Sequence, residues 1–296
     1  MPELPEVETI VRGLKPRVEG RRIERVELRL PKQVRGMDAA AFCRLVGGQV
    51  VRRISRRGKY LLMFLDRHVL LGHLGMSGQL TYWDRTRKDT PGFVAHPVTG
   101  LQRTPGQHAP DAHTHLLFHL EGGDRVQYRD IRQFGHWRLL EPGQLEGFKP
   151  LARLGLEPLG PDWRFDAFRR AFRARRGMVK AALLSQSPVA GLGNIYADEA
   201  LHLSGVHPRS RIERLREKDL RALFDAIPRV LRKGIRNRGT TLMDFRGAHG
   251  EKGRNQESLR VYGRHGANCL ACGAALRKIL VSQRTTVFCP RCQPKR

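Results

Sequence analysis

The stretch from Lys59 to Leu74 reads K-Y-L-L-M-F-L-D-R-H-V-L-L-G-H-L. Two apolar runs of strand length flank a short polar break, the pattern of two largely buried strands joined by a turn. The same texture continues outward in I-E-R-V-E-L-R-L from Ile23, H-L-L-F-H-L from His115 and R-V-Q-Y from Arg125. The region from Arg22 to Leu140 is therefore expected to be mostly strands, as in a β-sandwich or barrel. Asp38 to Val46 interrupts it with a short helix. The first dozen residues predict another helix, with Pro5 suited to its first turn and Gly13 to its end. Asp84 to Ala112 holds Pro91, Pro97, Pro105 and Pro110 with little periodicity, and is expected to be a long surface loop.

Beyond Pro150 the period changes. F-D-A-F-R-R-A-F-R-A, V-K-A-A-L-L-S-Q, N-I-Y-A-D-E-A-L and L-R-A-L-F-D-A-I-P-R-V-L-R-K space their apolar residues as helices do. A glycine-rich polar segment, Arg246 to Ser258, follows and is expected to be mobile. The expected order is a β domain, a helical domain and a small cysteine module.

Composition narrows the class. Hydrophobic residues make up 40% and charged residues 28% of the 296, as in a soluble globular protein. No apolar run approaches the roughly 20 residues that span a bilayer. The N-terminus lacks the basic-then-apolar pattern of a secretory signal, so the chain is expected in the cytosol. Lys and Arg number 55 against 28 Asp and Glu, a net charge of +27. Such an excess attracts a polyanion, nucleic acid being the common soluble candidate; general solubility or a ribosomal role is the plainer reading. From Arg264 to Arg296 there are seven Lys or Arg and no Asp or Glu, which favours a dedicated binding surface.

Of five cysteines, Cys43 lies on an apolar helical pattern and reads as a core residue. The other four form Cys269-x-x-Cys272 and Cys289-x-x-Cys292, with 16 residues between the pairs. Two such knuckles at this spacing bring four thiolates onto one zinc, with the intervening residues folding as a hairpin. Redox or unliganded thiols are the alternative. Four cysteines leave no ligand position for water, so the zinc is structural. Gln283 and Arg284 fall at the turn or second strand of the hairpin, where Arg284 reads as a phosphate contact or as a solvated charge.

M-P-E-L-P-E-V-E-T at Met1 places Pro2, Glu3 and Glu6 together at a helix start. Proline in second position normally permits removal of Met1, leaving a secondary amine beside a helix N-terminus, where the dipole disfavours protonation. A neutral secondary amine attacks an aldehyde-like carbon and forms an iminium. Glu3 and Glu6 share a helix face, from which one of them can move protons at a sugar. Ordinary helix-start composition explains the same residues less specifically.

The sequence resembles the formamidopyrimidine-DNA glycosylase family, bacterial enzymes that excise 8-oxoguanine and ring-opened purines and then cleave the strand. The resemblance runs through nearly the whole chain except the Asp84–Ala112 loop. It rests on M-P-E-L-P-E-V-E-T, R-G-K-Y-L-L at Arg57, H-L-G-M-S-G at His73, R-Q-F-G at Arg132, G-L-G-N-I-Y-A-D-E-A-L at Gly191, V-Y-G-R at Val261 and the finger with Q-R-T-T-V-F-C-P-R-C-Q. It implies an α+β chain: an N-terminal β-sandwich catalytic domain with flanking helices (1–140), a helical helix–two-turn–helix DNA-binding domain with a lid loop (150–258), and a four-cysteine zinc-finger β-hairpin (259–296).

By the same resemblance Pro2 is the nucleophile, Glu3 the main proton-transfer residue, Glu6 a supporting carboxylate and Lys59 a phosphate contact beside the lesion. An extruded base leaves a void in the duplex, which Met76, Arg132 and Phe134 match the residues that fill. Phe134 would wedge into the stack, and Arg132 would bond the orphaned partner base. Taken singly, without the motifs, Met76 reads rather as core, and Arg132 and Phe134 as an ordinary hairpin tip. Lys180, Asn194, His73 and Arg284 are expected to contact DNA, although Asn194 also suits a helix cap. Gln133 departs from the family, where a second basic residue often follows the arginine. The Arg246–Ser258 segment matches the region that covers the extruded base, without a residue pattern that maps onto it. The implied partner is damaged double-stranded DNA, bound by a monomer with one structural Zn2+ in the nucleoid-associated cytoplasm. Two alternatives remain: the sister group that removes oxidised pyrimidines, and a zinc-containing nucleic-acid binder without catalysis. The motifs at His73 and Arg132 argue against the first, and the Pro2, Glu3, Glu6 and Lys59 set against the second.

Overall fold

The computed structural model describes residues 2–86, 110–243 and 245–295. Most of the proline-rich loop expected over 84–112 therefore lies outside the described residues. The chain forms two compact units, Met1–Phe148 with Ile235–Gln256, and Lys149–Gly234 with Glu257–Arg296. Among the described residues no helix is long and apolar enough to cross a membrane.

The first unit opens with α1 (Leu4–Val18), followed by β1 (Ile23–Leu28) and α2 (Ala39–Val46). The Asp38 side chain caps α2 by accepting from the amides of Ala40 and Ala41. Seven more strands follow: β2 (Val51–Arg57), β3 (Tyr60–Leu65), β4 (Val69–His73), β5 (Gln79–Trp83), β6 (Thr114–Leu120), β7 (Arg125–Arg129) and β8 (His136–Leu140). They pair antiparallel into two four-stranded sheets, ordered β1-β6-β7-β5 and β2-β3-β4-β8. Trp137 of the second sheet packs edge-on against Phe118 and Tyr128 of the first, at ring distances of 5.5 and 5.4 Å. This is the expected sandwich. Gly72, opposite Trp137 in the register, leaves the room: a Cβ there would lie 2.7 Å from the indole. Cys43 packs half-buried against this core, and burial pushes its thiol up.

Two expectations are corrected here. Gly13 does not end α1, which runs on to Val18. Its lack of a side chain instead admits Ala248, whose Cβ would stand 2.6 Å from an added Cβ. The segment from Arg246 is likewise not loose. Phe245 and Ala248 belong to the sandwich core, the Ala248 carbonyl accepts from the amide of Tyr82 at 2.7 Å, and Arg246 and Asn255 are buried. Glycine-rich composition signals turn geometry, and here the turns are fastened. These contacts also place 235–256 with the sandwich rather than with the helices that precede it.

The second unit contains α5 (Phe165–Arg173), α6 (Val179–Leu184), α7 (Asn194–Leu203) and α8 (Glu217–Arg236, which continues past the unit boundary), after two single-turn helices, α3 (Gln144–Gly147) at the end of the first unit and α4 (Lys149–Ala152). Strands β9 (Arg277–Val281) and β10 (Arg284–Phe288) form an antiparallel hairpin. Its two turn residues, Ser282 and Gln283, take φ of 50° and 58°, as the tightest hairpin turns require.

Candidate functional site

Glu3 caps α1 with Pro2 one residue outside the helix. Both glutamates are buried, at 2% exposure each. The Glu3 amide donates to Glu6 Oε2 at 2.9 Å, one half of a reciprocal capping box. The other Glu6 oxygen accepts from the Thr240 amide at 2.7 Å. Glu6 thus clamps the peptide that carries Pro2 to the 240 segment. A side chain at Gly239 would meet Glu6 Cγ at 3.1 Å and the Phe245 ring at 2.7 Å, and φ there is +81°, so the approach is open to glycine alone.

Lys59 occupies the two-residue turn between β2 and β3, after Gly58 with φ of 55°. It is 7% exposed. At the end of β4, the His73 ring stacks on His136 at 5.5 Å and tilts against Tyr60 at 4.9 Å. Burial holds the His73 imidazole down at about 4, with His136, Lys59 and Arg35 acting in the same direction. Burial and the arginines Arg35 and Arg138 bring His136 to about 4 as well. The Gly75 amide donates to His73 Nδ1 at 3.2 Å, which makes Nδ1 the acceptor and leaves the proton on Nε2. His73 is a neutral donor in a cationic neighbourhood.

Met76, Arg132 and Phe134 sit on two connections, 74–78 and 130–135, that cross between the sheets. Phe134 is 53% exposed with the Arg132 guanidinium 4.9 Å from its ring centre, while Met76 is half-buried. One residue missed in the sequence ties the connections together. Asp130, fully buried, accepts from Ser77 Oγ at 2.6 Å, Tyr128 Oη at 3.0 Å and the Gly135 amide at 2.8 Å. Ser77 Oγ in turn accepts from the Arg132 amide at 3.0 Å. Gly75 and Gly135 let the two backbones meet, since a Cβ on Gly75 would lie 2.5 Å from the Gly135 nitrogen. Gln133 bends the second connection with φ of 57°. The only signal for Asp130 in sequence was a carboxylate two residues before Arg132.

In the second unit the structure corrects Lys180. It is fully buried, with its ammonium 2.6 Å from Asp198 Oδ1 and donating to Thr286 Oγ1 at 2.6 Å, and so cannot meet a phosphate directly. Burial pushes the Asp198 carboxyl up to about 6, against the pull of Lys180. Asn194 is the first residue of α7, half-buried, with Gly193 as the cap. Its side-chain amide donates to the Thr285 carbonyl at 2.8 Å. Glu199 accepts from the amides of Arg260, Val261 and Tyr262. Asn194 thus fastens the hairpin to α7 and Glu199 the 260–262 segment that precedes it, and Arg284 stands exposed beside the turn.

Cys269, Cys272, Cys289 and Cys292 bring their sulfurs within 4.8 Å of one another. The Cys269–Cys292 and Cys272–Cys289 separations are 3.9 and 3.4 Å, near the roughly 3.8 Å edge of a tetrahedron with Zn–S bonds of about 2.3 Å. The four thiolates fit one structural zinc.

Comparison with known proteins agrees region by region. Residues 1–137 match a family described as the formamidopyrimidine-DNA glycosylase N-terminal domain, 154–246 the H2TH domain of the same glycosylase, and 268–295 a zinc finger found in FPG and IleRS. A formamidopyrimidine-DNA glycosylase of Symbiobacterium thermophilum is 43% identical over 99% of this chain and 90% of its own. One from Heliobacterium modesticaldum is 40% identical over 99% of this chain and 100% of its own. Among solved structures, a Lactococcus lactis FPG mutant bound to Fapy-dG-containing DNA superposes with a TM-score of 0.86 at 33% identity, over 99% of this chain and 100% of that one. The Lactococcus lactis Fpg bound to DNA with an abasic site gives 0.85 at 34%, with the same coverage.

Proposed function

The chain belongs to the formamidopyrimidine-DNA glycosylase family, and from that premise we propose that it is a bifunctional base-excision repair enzyme that removes oxidised purines through Pro2 and then cleaves the strand. It acts on damaged double-stranded DNA as a monomer, in the nucleoid-associated cytoplasm, with one structural zinc held by its four finger cysteines. The zinc supplies folding energy to the hairpin rather than chemistry.

With Met1 removed, the Pro2 nitrogen attacks the anomeric carbon of the damaged nucleotide. The N–C bond forms as the glycosidic bond breaks, the base leaves, and the opened sugar becomes an iminium. Removal of a proton next to the iminium expels the phosphate on one side, and a second elimination expels the other, leaving a one-nucleotide gap. Glu3 moves the protons. Glu6, with both oxygens taken up by backbone amides, orients the amine and is not free to shuttle. That double clamp is the observation that carries the assignment, because it fixes the peptide joined to Pro2.

Lys59, His73, Asn194 and Arg284 contact the DNA backbone, and Met76, Arg132 and Phe134 fill the void left by the extruded base. His73 serves as a neutral donor whose grip is unchanged between pH 6 and 8. Lys180 acts through the hairpin it braces. A competing lysine nucleophile is disfavoured, since an ordinary lysine is protonated near pH 7. Extending the N-terminus so that Pro2 becomes an internal amide should abolish base removal while leaving DNA binding nearly intact. Glu3→Gln should impair excision of intact lesions more than cleavage at DNA already lacking the base. Normal base removal by the extended chain would overturn the assignment.

A further inference from the structure

Helix α7 carries polar residues at positions 194, 198 and 202, a spacing of four that lines them along one face. Asn194 and Asp198 already bind the hairpin, the first at the Thr285 carbonyl and the second at the Val287 amide. His202, one turn further on, faces the zinc cluster. Its Nε2 lies 3.4 Å from Cys269 Sγ, the residue is 5% exposed, and its Nδ1 is buried with no hydrogen-bond partner among the described residues. A thiolate bound to zinc has no proton to give, so a ring nitrogen at this distance is held by attraction only if it carries the hydrogen. An orphaned lone pair at Nδ1 is tolerable, whereas an orphaned N–H beside a thiolate facing a second lone pair is not.

We propose that His202 donates a hydrogen bond from its Nε2–H to the zinc-bound sulfur of Cys269 and so retains the metal in the finger. Four thiolates around one Zn2+ leave a local charge of −2 in a site that is partly closed to water. A donor aimed at one sulfur spreads that charge and fixes the ligand's direction, as hydrogen bonds to metal ligands generally do. A backbone group does the same at the other knuckle, where the Cys292 amide lies 3.3 Å from Cys289 Sγ. Nothing in the glycosylase chemistry requires a histidine here, so the role concerns how long the finger keeps its zinc.

Two measurements on the zinc-loaded full chain test this. Nitrogen-15 NMR of the histidine rings should show the His202 proton on Nε2, and replacing zinc by cadmium-113 should give a scalar coupling between that proton and the metal across the hydrogen bond. The second measurement is zinc transfer to a chromogenic chelator. His202→Phe keeps a ring and removes the donor, and should lose zinc about 10-fold faster. His202→Gln, which keeps an N–H, should fall between it and the parent. A proton found on Nδ1, or equal zinc loss from parent and His202→Phe, would overturn the proposal. Should His202→Phe fail to fold, the tautomer and the coupling in the parent chain still decide it.

Discussion

Glu6 in the first unit and Asp198 in the second are both buried carboxylates, at 2% and 1% exposure, yet they hold their surroundings differently. The two oxygens of Glu6 meet backbone amides, and Asp130 of the same unit meets hydroxyls and an amide. Around them runs a continuous core from α1 through both sheets to Ala248. Asp198 is paired with a fully buried ammonium, beside a finger with one small apolar cluster, Val261, Leu276 and Val287 with two of the cysteines, and Val281 and Phe288 buried at the hairpin. A core that small needs the metal and the fastening to α7. Removing a brace from the first unit should leave a folded domain with misplaced chemistry. Removing one from the second should release the finger. Loss of the chemistry and loss of the finger are therefore expected to occur separately.

The largest effect is expected at the zinc. Cys272→Ser should release the metal and weaken DNA binding sharply, while the first unit keeps its thermal transition. Metal analysis alongside affinity checks this, and full binding by a zinc-free chain would break the division between units. Next is the buried pair. Asp198→Ala leaves the Lys180 charge uncompensated, which typically costs about 3–5 kcal/mol, and hydrogen exchange in β9 and β10 should rise. Replacing Asp198 and Lys180 together by Leu and Met should recover much of the loss. If the double variant were as open as the single one, the pair would not be the fastening.

A smaller and different effect is expected from Asp130→Asn, which removes one charged acceptor shared by two connections, about 1–3 kcal/mol. Excision of intact lesions should fall about 10-fold or more while affinity changes little and cleavage of preformed abasic sites is largely spared. Equal losses in all three readouts would mean that Asp130 supports the whole domain. Smallest is the pH effect. His73 and His136 titrate near 4 in the folded chain against about 6.5 when exposed, so the unfolded chain binds more protons between those values. Their contribution is full above about pH 6.5, is lost as pH falls toward 4, and changes no further below. His136→Phe keeps the ring stack and should lower the slope of stability against pH in that window by up to about one proton. An unchanged slope would leave His136 outside the account.

Much of this was legible in the sequence, and the failures share a cause. The strands around Lys59–Leu74, the short helix from Asp38 to Val46 and the hairpin between the cysteine pairs follow from local pattern. Gly13, Lys180 and the Arg246–Ser258 segment were misread because their roles depend on partners far along the chain: Ala248 for Gly13, Asp198 and Thr286 for Lys180, and Tyr82 and the sandwich core for the segment. A glycine inside a helix reads as an end, and a lysine in a basic chain reads as a surface charge, until the tertiary contact is known. Asp130 was passed over for a related reason: Tyr128 and Gly135 are near it in sequence, but Ser77, which links it to the other connection, lies 53 residues away.

The central claim is that the nucleophile is the amine of Pro2, fixed by Glu6. Reducing the enzyme with borohydride on DNA bearing an oxidised purine opposite cytosine, then digesting and sequencing the adduct by mass spectrometry, tests it directly. The account expects the reduced sugar on the N-terminal peptide, on a proline that has lost Met1. An adduct on the peptide containing Lys59, or on any other lysine, would contradict it.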